Sequence, residues 1–294
     1  MKTARRFSAL LCALLAAGLV AACGSDTQPA ETDAQATPQR VVSLSPSATE
    51  TLWAIGAGPQ VIAVDGESNH PADVPRQEDL SGFTPNIEAI VSYEPDLVIT
   101  ADAPDDLVSG LQAAGIPLLS QPAPSTLDDA YAQIEQIGAE TGRIGDAAEV
   151  VARMRAQIDE VVENTPRSEL TYYHELDPTL FSASGDSFVG QLYGLFGLTN
   201  IADGSGVDAY PQLSEEFVVT ADPDLIFLAD VQCCGVTAET VANRAGWAEV
   251  AAVRDGRIYE LDADVASRWG PRVVDTVERI GAVISEVHAV PAPN

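Results

Sequence analysis

The chain has 294 residues, with 44 acidic and 15 basic side chains and a formal net charge of −29. A surface this acidic repels nucleic-acid phosphates and anionic lipid headgroups, so we exclude nucleic-acid binding and adhesion to a bare membrane surface. The four cysteines are too few for a small disulfide-stapled scaffold in a chain of this length.

The N-terminal residues carry an export signal and a candidate lipidation site. Basic residues precede an apolar run over 7–20, which is too short to predict a membrane span. The segment VAAC at 20–23 resembles the bacterial lipoprotein box, in which the cysteine thiol receives a diacylglyceryl group. The resemblance implies a signal peptide over 1–22 and a lipid on Cys23 that holds the chain at the extracytoplasmic face of the cell membrane. An ordinary signal peptide cut before an incidental cysteine is the alternative.

A flexible tether and then an N-terminal lobe follow the lipidation site. Residues 23–39 are small and polar, and their composition predicts a tether that buries no apolar face. Strands and helices alternate over residues 40–124, which implies a mostly parallel sheet flanked by helices. Ser47, three residues before Glu50, fits a capping box at the first helix of this lobe. The predicted strands are 40–45, 60–65, 95–100 and 116–120, and the predicted helices are 47–57, 86–94 and 103–115.

A long helix and a second lobe complete the predicted chain. Apolar residues keep a helical stripe within residues 125–165, and the glycines around Gly142 predict a kink or a break there. Residues 166–294 form the C-terminal lobe. Its predicted strands are 169–176, 179–184, 223–230 and 256–264, and its predicted helices are 186–198, 214–221 and 271–289.

One segment of the first lobe is similar in sequence to one segment of the second. NIEAIVSYEPDLVIT at 86–100 and LSEEFVVTADPDLIFL at 213–228 both read as a helix with glutamate near its start, then Pro-Asp-Leu, then a strand. The predicted fold is therefore α/β, with two lobes of mostly parallel sheet flanked by helices. A long helix joins them, and a ligand cleft lies between them.

Five segments carry a family resemblance that spans residues 40–287. They are RVVSLSPSATETLWAIGA, ESNHPADV, DLSGFTPNIEAIVSYEPDLVIT, AYPQLSEEFVVTADPDLIFL and SRWGPRVVD. In their order and spacing they resemble the periplasmic-binding-protein family that serves ABC importers of cobalamin, ferric siderophores and haem, and the cobalamin-binding members most of all. The resemblance implies that the long helix between the lobes is rigid. It also implies a monomeric, non-enzymatic binding protein that works with a permease and its ATPase. It needs no cofactor, because the small metal chelate that it carries brings its own cobalt or iron. We order the ligands as cobalamin, then ferric siderophore, then haem.

The same resemblance implies a docking glutamate on each lobe. By position these are Glu88 and Glu216, which would enter arginine pockets on the permease. Glu215 is the alternative to Glu216. A glutamate that only suits the dipole at a helix start is the alternative for both lobes.

Ligand contacts in such a fold come from loops at the carboxyl ends of strands. His70 either coordinates the metal or stacks on the ligand, and a solvent-facing loop histidine is the plain alternative. Arg268 is a candidate clamp for an acidic group, with Arg272 as the alternative for that role. An ion pair of Arg268 with Asp262, Asp264 or Asp275 is the structural alternative. The full candidate set is Ser45, Ser47, Asn69, His70, Phe83, Tyr210, Cys233, Cys234, Arg268 and Trp269.

Cys233 and Cys234 are adjacent in the sequence. Neighbouring Cα atoms lie about 3.8 Å apart, less than the roughly 4.4–6.8 Å of an ordinary disulfide, so a bond between them closes a tight ring. An oxidising compartment favours that vicinal disulfide, and free thiols or a metal site are the alternatives.

Rival functions find little support in the sequence. It has no G-x-G-x-x-G after a strand, no Walker loop and no G-x-S-x-G turn, and His174, the best remaining catalytic candidate, lies in a predicted strand. A receptor for bare metal ions would need several suitably placed histidines, whereas only His70 is placed suitably.

Overall fold

The computed structural model describes residues 37–205 and 209–289. The predicted signal peptide at 1–22, the lipidation site Cys23 and most of the predicted tether therefore lie outside the described residues. The described residues belong to one compact unit, which begins at Thr37. None of the helices in the described ranges is both long enough and apolar enough to cross a lipid bilayer.

The N-terminal lobe is a four-stranded parallel sheet with helices between its strands. The strand order is β2-β1-β3-β4, and every pair of neighbours is parallel. Both β1 and β3 are fully buried, as expected for strands that helices cover on both faces. The elements are β1 (Val41–Leu44), α1 (Pro46–Ala54), β2 (Val61–Val64), α2 (Ile87–Ser92), β3 (Leu97–Thr100), α3 (Asp105–Ala114) and β4 (Leu118–Ser120).

Two helices follow where the sequence predicted one over 125–165. They are α4 (Leu127–Glu140) and α5 (Ile144–Asn164), and the chain breaks between them at Gly142. Gly142 has a φ of 71°, in the left-handed region that ends helices and that glycine adopts without a steric cost. The break therefore falls where the glycines indicated it.

The C-terminal lobe repeats the sheet order of the first lobe. Its order is β6-β5-β7-β8, again with parallel neighbours. The elements are β5 (Thr171–Glu175), α6 (Phe188–Gly194), β6 (Thr199–Asn200), α7 (Glu215–Ala221), β7 (Leu225–Leu228), α8 (Val231–Cys234), α9 (Ala238–Ala242), α10 (Ala251–Arg254), β8 (Ile258–Glu260), α11 (Ala263–Ala266) and α12 (Val273–Ala289). Three short 3₁₀ turns, Gly58–Gln60, Ile201–Ser205 and Trp247–Glu249, complete the elements of the described ranges.

Of the three apolar clusters among the described residues, one runs from one lobe to the other through the paired helices. Leu52 on α1, Tyr131 on α4, Met154 on α5, Tyr193 on α6 and Val277 on α12 all belong to this buried cluster. Bending one lobe against the other would open this cluster, so its continuity stiffens the connection between the lobes.

Three local predictions are wrong, each for a physical reason. Ser45 caps α1 instead of Ser47, because Pro46 occupies the first helical position and Ser45 is extended, with its side chain accepting from the Ala48 amide. The predicted strand at 179–184 is a loop, because Leu180 has a φ of 69° and only Phe181 forms an isolated bridge. The predicted strand at 256–264 ends at residue 260, because the Asp262 side chain then caps α11.

Candidate ligand-binding cleft

A cavity of about 480 Å³ opens at the carboxyl edge of the N-terminal sheet. Volumes of this size are typical of small-molecule sites. Its opposite wall is α11 and the segment that follows it, which belong to the C-terminal lobe. The cavity is lined by Leu44, Ser45, Pro46, Ser47, Asp65, Glu67, Gly82, Phe83, Ala101, Asp102, Asp264, Ser267, Arg268 and Trp269.

The first-lobe wall is built from strand ends. Ser45 follows β1, Asp65 follows β2 and Asp102 lies two residues after β3, so parallel strands bring the three side chains to one edge. The loop with Phe83 lies against the end of β1 because residue 82 is glycine. A Cβ at Gly82 would collide with the carbonyl oxygen of Leu44. Phe83 is left 87% exposed at the cavity, an unusual exposure for a large apolar side chain.

Half of the predicted contact residues line this cavity. They are Ser45, Ser47, Phe83, Arg268 and Trp269. Asn69 lies at its margin and binds two residues of the wall, Arg268 and Asp264. The exposed His70, the half-exposed Tyr210 and the exposed Cys233 and Cys234 are not part of the wall.

Arg268 reaches across the interface between the lobes. Its Nη1 donates to Glu50 Oε1 and to Asn69 Oδ1, both at 2.9 Å. Its Nη2 donates to the Glu67 carbonyl at 3.1 Å and to Asp264 Oδ1 at 2.8 Å. A guanidinium has five N–H donors, so these four bonds leave only the Nε–H free of this set. We call Arg268, Glu50, Asn69 and Asp264 the interlobe clasp.

The predicted clamp role of Arg268 therefore needs revision. Its guanidinium holds protein carboxylates instead of standing free for an acidic group of a ligand. The Asp264 ion pair was among the structural alternatives, whereas the Glu50 partner was not expected. Arg272, the alternative clamp, is likewise engaged by Glu50 at 3.4 Å and by Asp275 at 3.4 Å.

Glu50 is the buried partner that makes the clasp possible. Burial raises the pKa of its carboxyl group, and the Arg268 guanidinium opposes that shift. The segment after Arg268 packs directly on α1, with the Trp269 amide donating to Ser47 Oγ at 3.2 Å. A Cβ at Gly270 would lie 3.0 Å from the Ser47 carbonyl oxygen, so glycine permits this close approach.

The sequence contained one clue to the acidic residues of the wall. Asp65 is the last residue of one predicted strand and Asp102 lies two residues after another, where parallel strands place ligand contacts. Asp65 is buried, which raises the pKa of its carboxyl group, and Ser68 donates its amide to it at 2.9 Å. The local pattern assigned Glu50 only to a capping box with Ser47 and did not indicate a partner in the other lobe.

The carboxyl edge of the second sheet is closed. Glu175, the last residue of β5, is fully buried. Its two carboxylate oxygens accept hydrogen bonds from the two terminal nitrogens of Arg244, both at 2.6 Å. Asp230, two residues after β7, is also fully buried, and neither of its carboxylate oxygens has a hydrogen-bond partner. Burial, together with the charge of Glu175, raises the pKa of Asp230 to about 7.

His174 is a buried side chain of β5. Its Nδ1 lies 2.9 Å from the Tyr193 hydroxyl, and burial lowers its pKa to about 4. It is fully enclosed, so it has no access to a substrate. The sulfur atoms of Cys233 and Cys234 are joined as a disulfide on the exposed helix α8.

Glu88 and Glu216 occupy equivalent places in the two lobes. Each is exposed and is the second residue of its helix, after an N-cap whose side chain accepts an amide hydrogen, Asn86 for α2 and Ser214 for α7. Glu215 is the first residue of α7, so the matching position is that of Glu216.

Comparison with known proteins identifies the family. The family model described as periplasmic binding protein matches residues 41–265, and the chain belongs to that family. A substrate-binding lipoprotein of an ABC transporter from Bacillus subtilis, YvrC, is 30% identical over 258 residues, which cover 84% of this chain and 80% of that protein. The vitamin B12-binding protein of Vibrio cholerae is 30% identical and covers 82% of this chain and 87% of its own.

A solved structure supports the fold. The haem-binding protein HutB of Vibrio cholerae superposes with a TM-score of 0.75 at 23% identity, and covers 83% of this chain and 98% of its own. Together the comparisons confirm the predicted α/β architecture of two lobes. Family membership also confirms that the chain is a binding component of transport and not an enzyme.

Proposed function

We propose that the chain is the lipid-anchored substrate-binding component of an ABC importer and that it captures a metal-bearing chelate. Cobalamin is the favoured ligand, ahead of ferric siderophores and haem. The observation that carries the proposal is the cavity between the lobes with Phe83 exposed beside it. An apolar ring left in water at a cavity is stabilised when a ligand covers it.

Two aromatic side chains give the cavity an affinity for a flat or bulky ring system. Phe83 comes from the first lobe and the half-buried Trp269 from the second, and both line the cavity. A corrin ring with its amide side chains offers apolar faces for such contacts and neutral polar groups for Ser45 and Ser47. The similarity to the vitamin B12-binding protein of Vibrio cholerae supports this choice.

The metal would arrive inside the ligand. Among the described residues no group of three or more histidine, cysteine, aspartate or glutamate side chains is placed to hold a bare metal ion. A chelate or macrocycle brings its own donor atoms, so it needs no such group on the protein. His70 lies outside the cavity wall, which favours a corrinoid or siderophore over a haem that His70 would ligate.

Transport would require docking as well as capture. Glu88 and Glu216 are exposed, one on each lobe, and an arginine pocket on a permease could hold each carboxylate with two parallel hydrogen bonds. A lipid on Cys23 would confine the domain to the membrane surface and raise its concentration near the permease, so docking itself need not be tight.

The test is a titration of the full-length protein in detergent with cyanocobalamin, ferrichrome and haem, followed by tryptophan fluorescence and calorimetry. We expect cyanocobalamin to bind with a Kd of about 1 μM or tighter, and Phe83→Ala to weaken it about tenfold. Ile144→Ala is the matched control, because Ile144 is also an exposed apolar side chain but lies on α5, outside the cavity wall. Failure of all three chelates to bind would contradict the proposal.

A further inference from the structure

We infer that the cleft selects chelates that carry no net negative charge, so that neutral and cationic complexes bind and polyanionic ones are excluded. The inference rests on the proposed function, since it names the ligand class of the same cavity. It follows from how the charged side chains of the wall are paired.

Four carboxylates line the cavity, and three of them have no basic partner. Asp264 is paired with Arg268, whereas no ion pair to Asp65, Glu67 or Asp102 is present among the described residues. Asp102 accepts a hydrogen bond from the Ala103 amide, and Asp65 accepts one from Ser68. These amide bonds orient the carboxylates without neutralising them.

The one guanidinium in the wall is already neutralised. Arg268 holds both Glu50 and Asp264 in the interlobe clasp, so a ligand anion would have to displace a protein carboxylate. Arg272 is engaged by the same Glu50 and lies outside the wall. The chain has no further source of ammonium groups here, because its only lysine is Lys2.

The wall therefore holds an excess of negative charge on a concave surface, which focuses the field on whatever enters. Asp65 is buried, whereas Glu67 and Asp102 are exposed, so added salt screens part of this field. Two unit charges a few ångströms apart near a protein surface interact by enough to change an affinity about tenfold or more. A carboxylate on the ligand would face Asp65, Glu67 and Asp102 with no cation to meet it. The two aromatic rings that would cover the ligand offer no positive charge to an anion, and their faces attract cations, so they act in the same direction as the carboxylates.

The test uses ligands that differ in charge and hardly in shape. Cyanocobalamin is neutral, and its monocarboxylate derivative replaces one side-chain amide by a carboxylate. Ferrioxamine B carries a terminal ammonium group, and its N-succinyl derivative carries a carboxylate there instead. Full-length protein in detergent is titrated with each pair at pH 7.5 and low ionic strength. For each pair whose neutral or cationic member binds, we expect the anionic member to have a Kd about tenfold higher. The ratio of the two Kd values should shrink as salt is added.

Variants separate charge selection from a lost amide contact. In Glu67→Gln/Asp102→Asn the penalty for the anionic member should fall below about threefold, because two of the three unpaired charges are gone. Glu149→Gln, which removes an exposed charge on α5 far along the chain from the wall, should leave the penalty unchanged. If the penalty came from the loss of an amide contact instead, it would keep its full size in the double variant.

The outcomes are distinct. If both members of a pair bind equally to the unaltered protein, or if the double variant keeps the full penalty, the charge inference is wrong while the transport proposal stands. If neither cyanocobalamin nor ferrioxamine B binds, the charge inference fails, and the proposed function fails with it only when ferrichrome and haem do not bind either.

Discussion

The two lobes have the same strand order but use the carboxyl edges of their sheets in opposite ways. At the first edge, Asp65 and Asp102 face a cavity beside the exposed Phe83. At the second edge, Glu175 and Asp230 are fully buried. Topology thus brings acidic side chains to both edges, and local packing decides whether they meet a ligand or belong to the core.

One side chain accounts for much of the difference. Arg244 closes the second edge by binding Glu175 through two bonds while its guanidinium lies 4.8 Å from the centre of the Trp247 ring. At the first edge the comparable cation is Arg268, which comes from the other lobe and leaves Asp65 and Asp102 unpaired. Arg244 comes from the same lobe as Glu175, and the edge that it binds is buried. Arg268 comes from the other lobe, and a cavity remains beside it.

Removing the Arg244 guanidinium should have the largest effect on stability. Arg244→Met leaves Glu175 buried and without a counter-charge, next to a second carboxyl group, and should lower the free energy of unfolding by about 3–5 kcal/mol. Urea denaturation at pH 7.5 measures this. Arg254→Met, at an exposed arginine whose partner is the neighbouring Asp255, should change it by less than about 1 kcal/mol. A loss for Arg244→Met as small as that of the control would contradict the comparison.

The buried carboxyl group of the second edge should give a pH signature. The folded-state pKa of Asp230, about 7, lies above its ordinary value, so folding favours the protonated form. Its contribution to stability therefore falls as the pH rises from about 4 to about 7, and Asp230→Asn should be more stable than the unaltered protein at pH 8 by about 2–4 kcal/mol.

The neighbouring histidine sharpens this test. The pKa of His174 is lowered to about 4, so its contribution to stability is lost as the pH falls from its ordinary value of 6.5 towards 4. In the unaltered protein the two groups oppose each other. Asp230→Asn should unmask a stability that rises with pH over this range, measured by denaturation at several pH values. An unchanged pH profile in the variant would show that Asp230 titrates normally.

A change in the interlobe clasp should have a smaller effect on stability. Glu50→Gln removes the buried charge that Arg268 meets at 2.9 Å but leaves Asp264 and Asn69 in place. We expect a loss of about 1–3 kcal/mol in the free energy of unfolding, with Glu149→Gln as the exposed control. A loss below about 0.5 kcal/mol would mean that the clasp contributes little to the contact between the lobes.

The sheet of each lobe was predictable because its signal is local. Runs such as Val41–Leu44 and Leu97–Thr100 are mostly apolar, with one small hydroxyl side chain each, and such runs are typical of strands buried on both faces. The prediction of a strand at 179–184 was wrong because Leu180 adopts a left-handed backbone conformation. The strand-forming residues of that segment gave no sign of it. The break at Gly142 was indicated because glycine is the residue that such a conformation favours.

The site was only partly predictable because its contacts are distant in sequence. Ser45 and Phe83 could be found from strand ends and loop chemistry, whereas the partner of Arg268 lies 218 residues away and no local pattern pairs them. Tyr210 and Cys233 were placed in the pocket from the carboxyl-edge rule alone. That rule identifies which residues reach the edge, but it does not say which edge is closed by packing.

Hydrogen–deuterium exchange of the full-length protein, with and without saturating cyanocobalamin, tests the central claim most directly. The claim is that the first edge holds the ligand and the second does not. We expect slower exchange in peptides that cover residues 81–84, 101–103 and 267–270, which include half of the lining residues of the cavity. Protection confined to peptides over 209–212 and 231–235, with the cavity peptides unchanged, would contradict it.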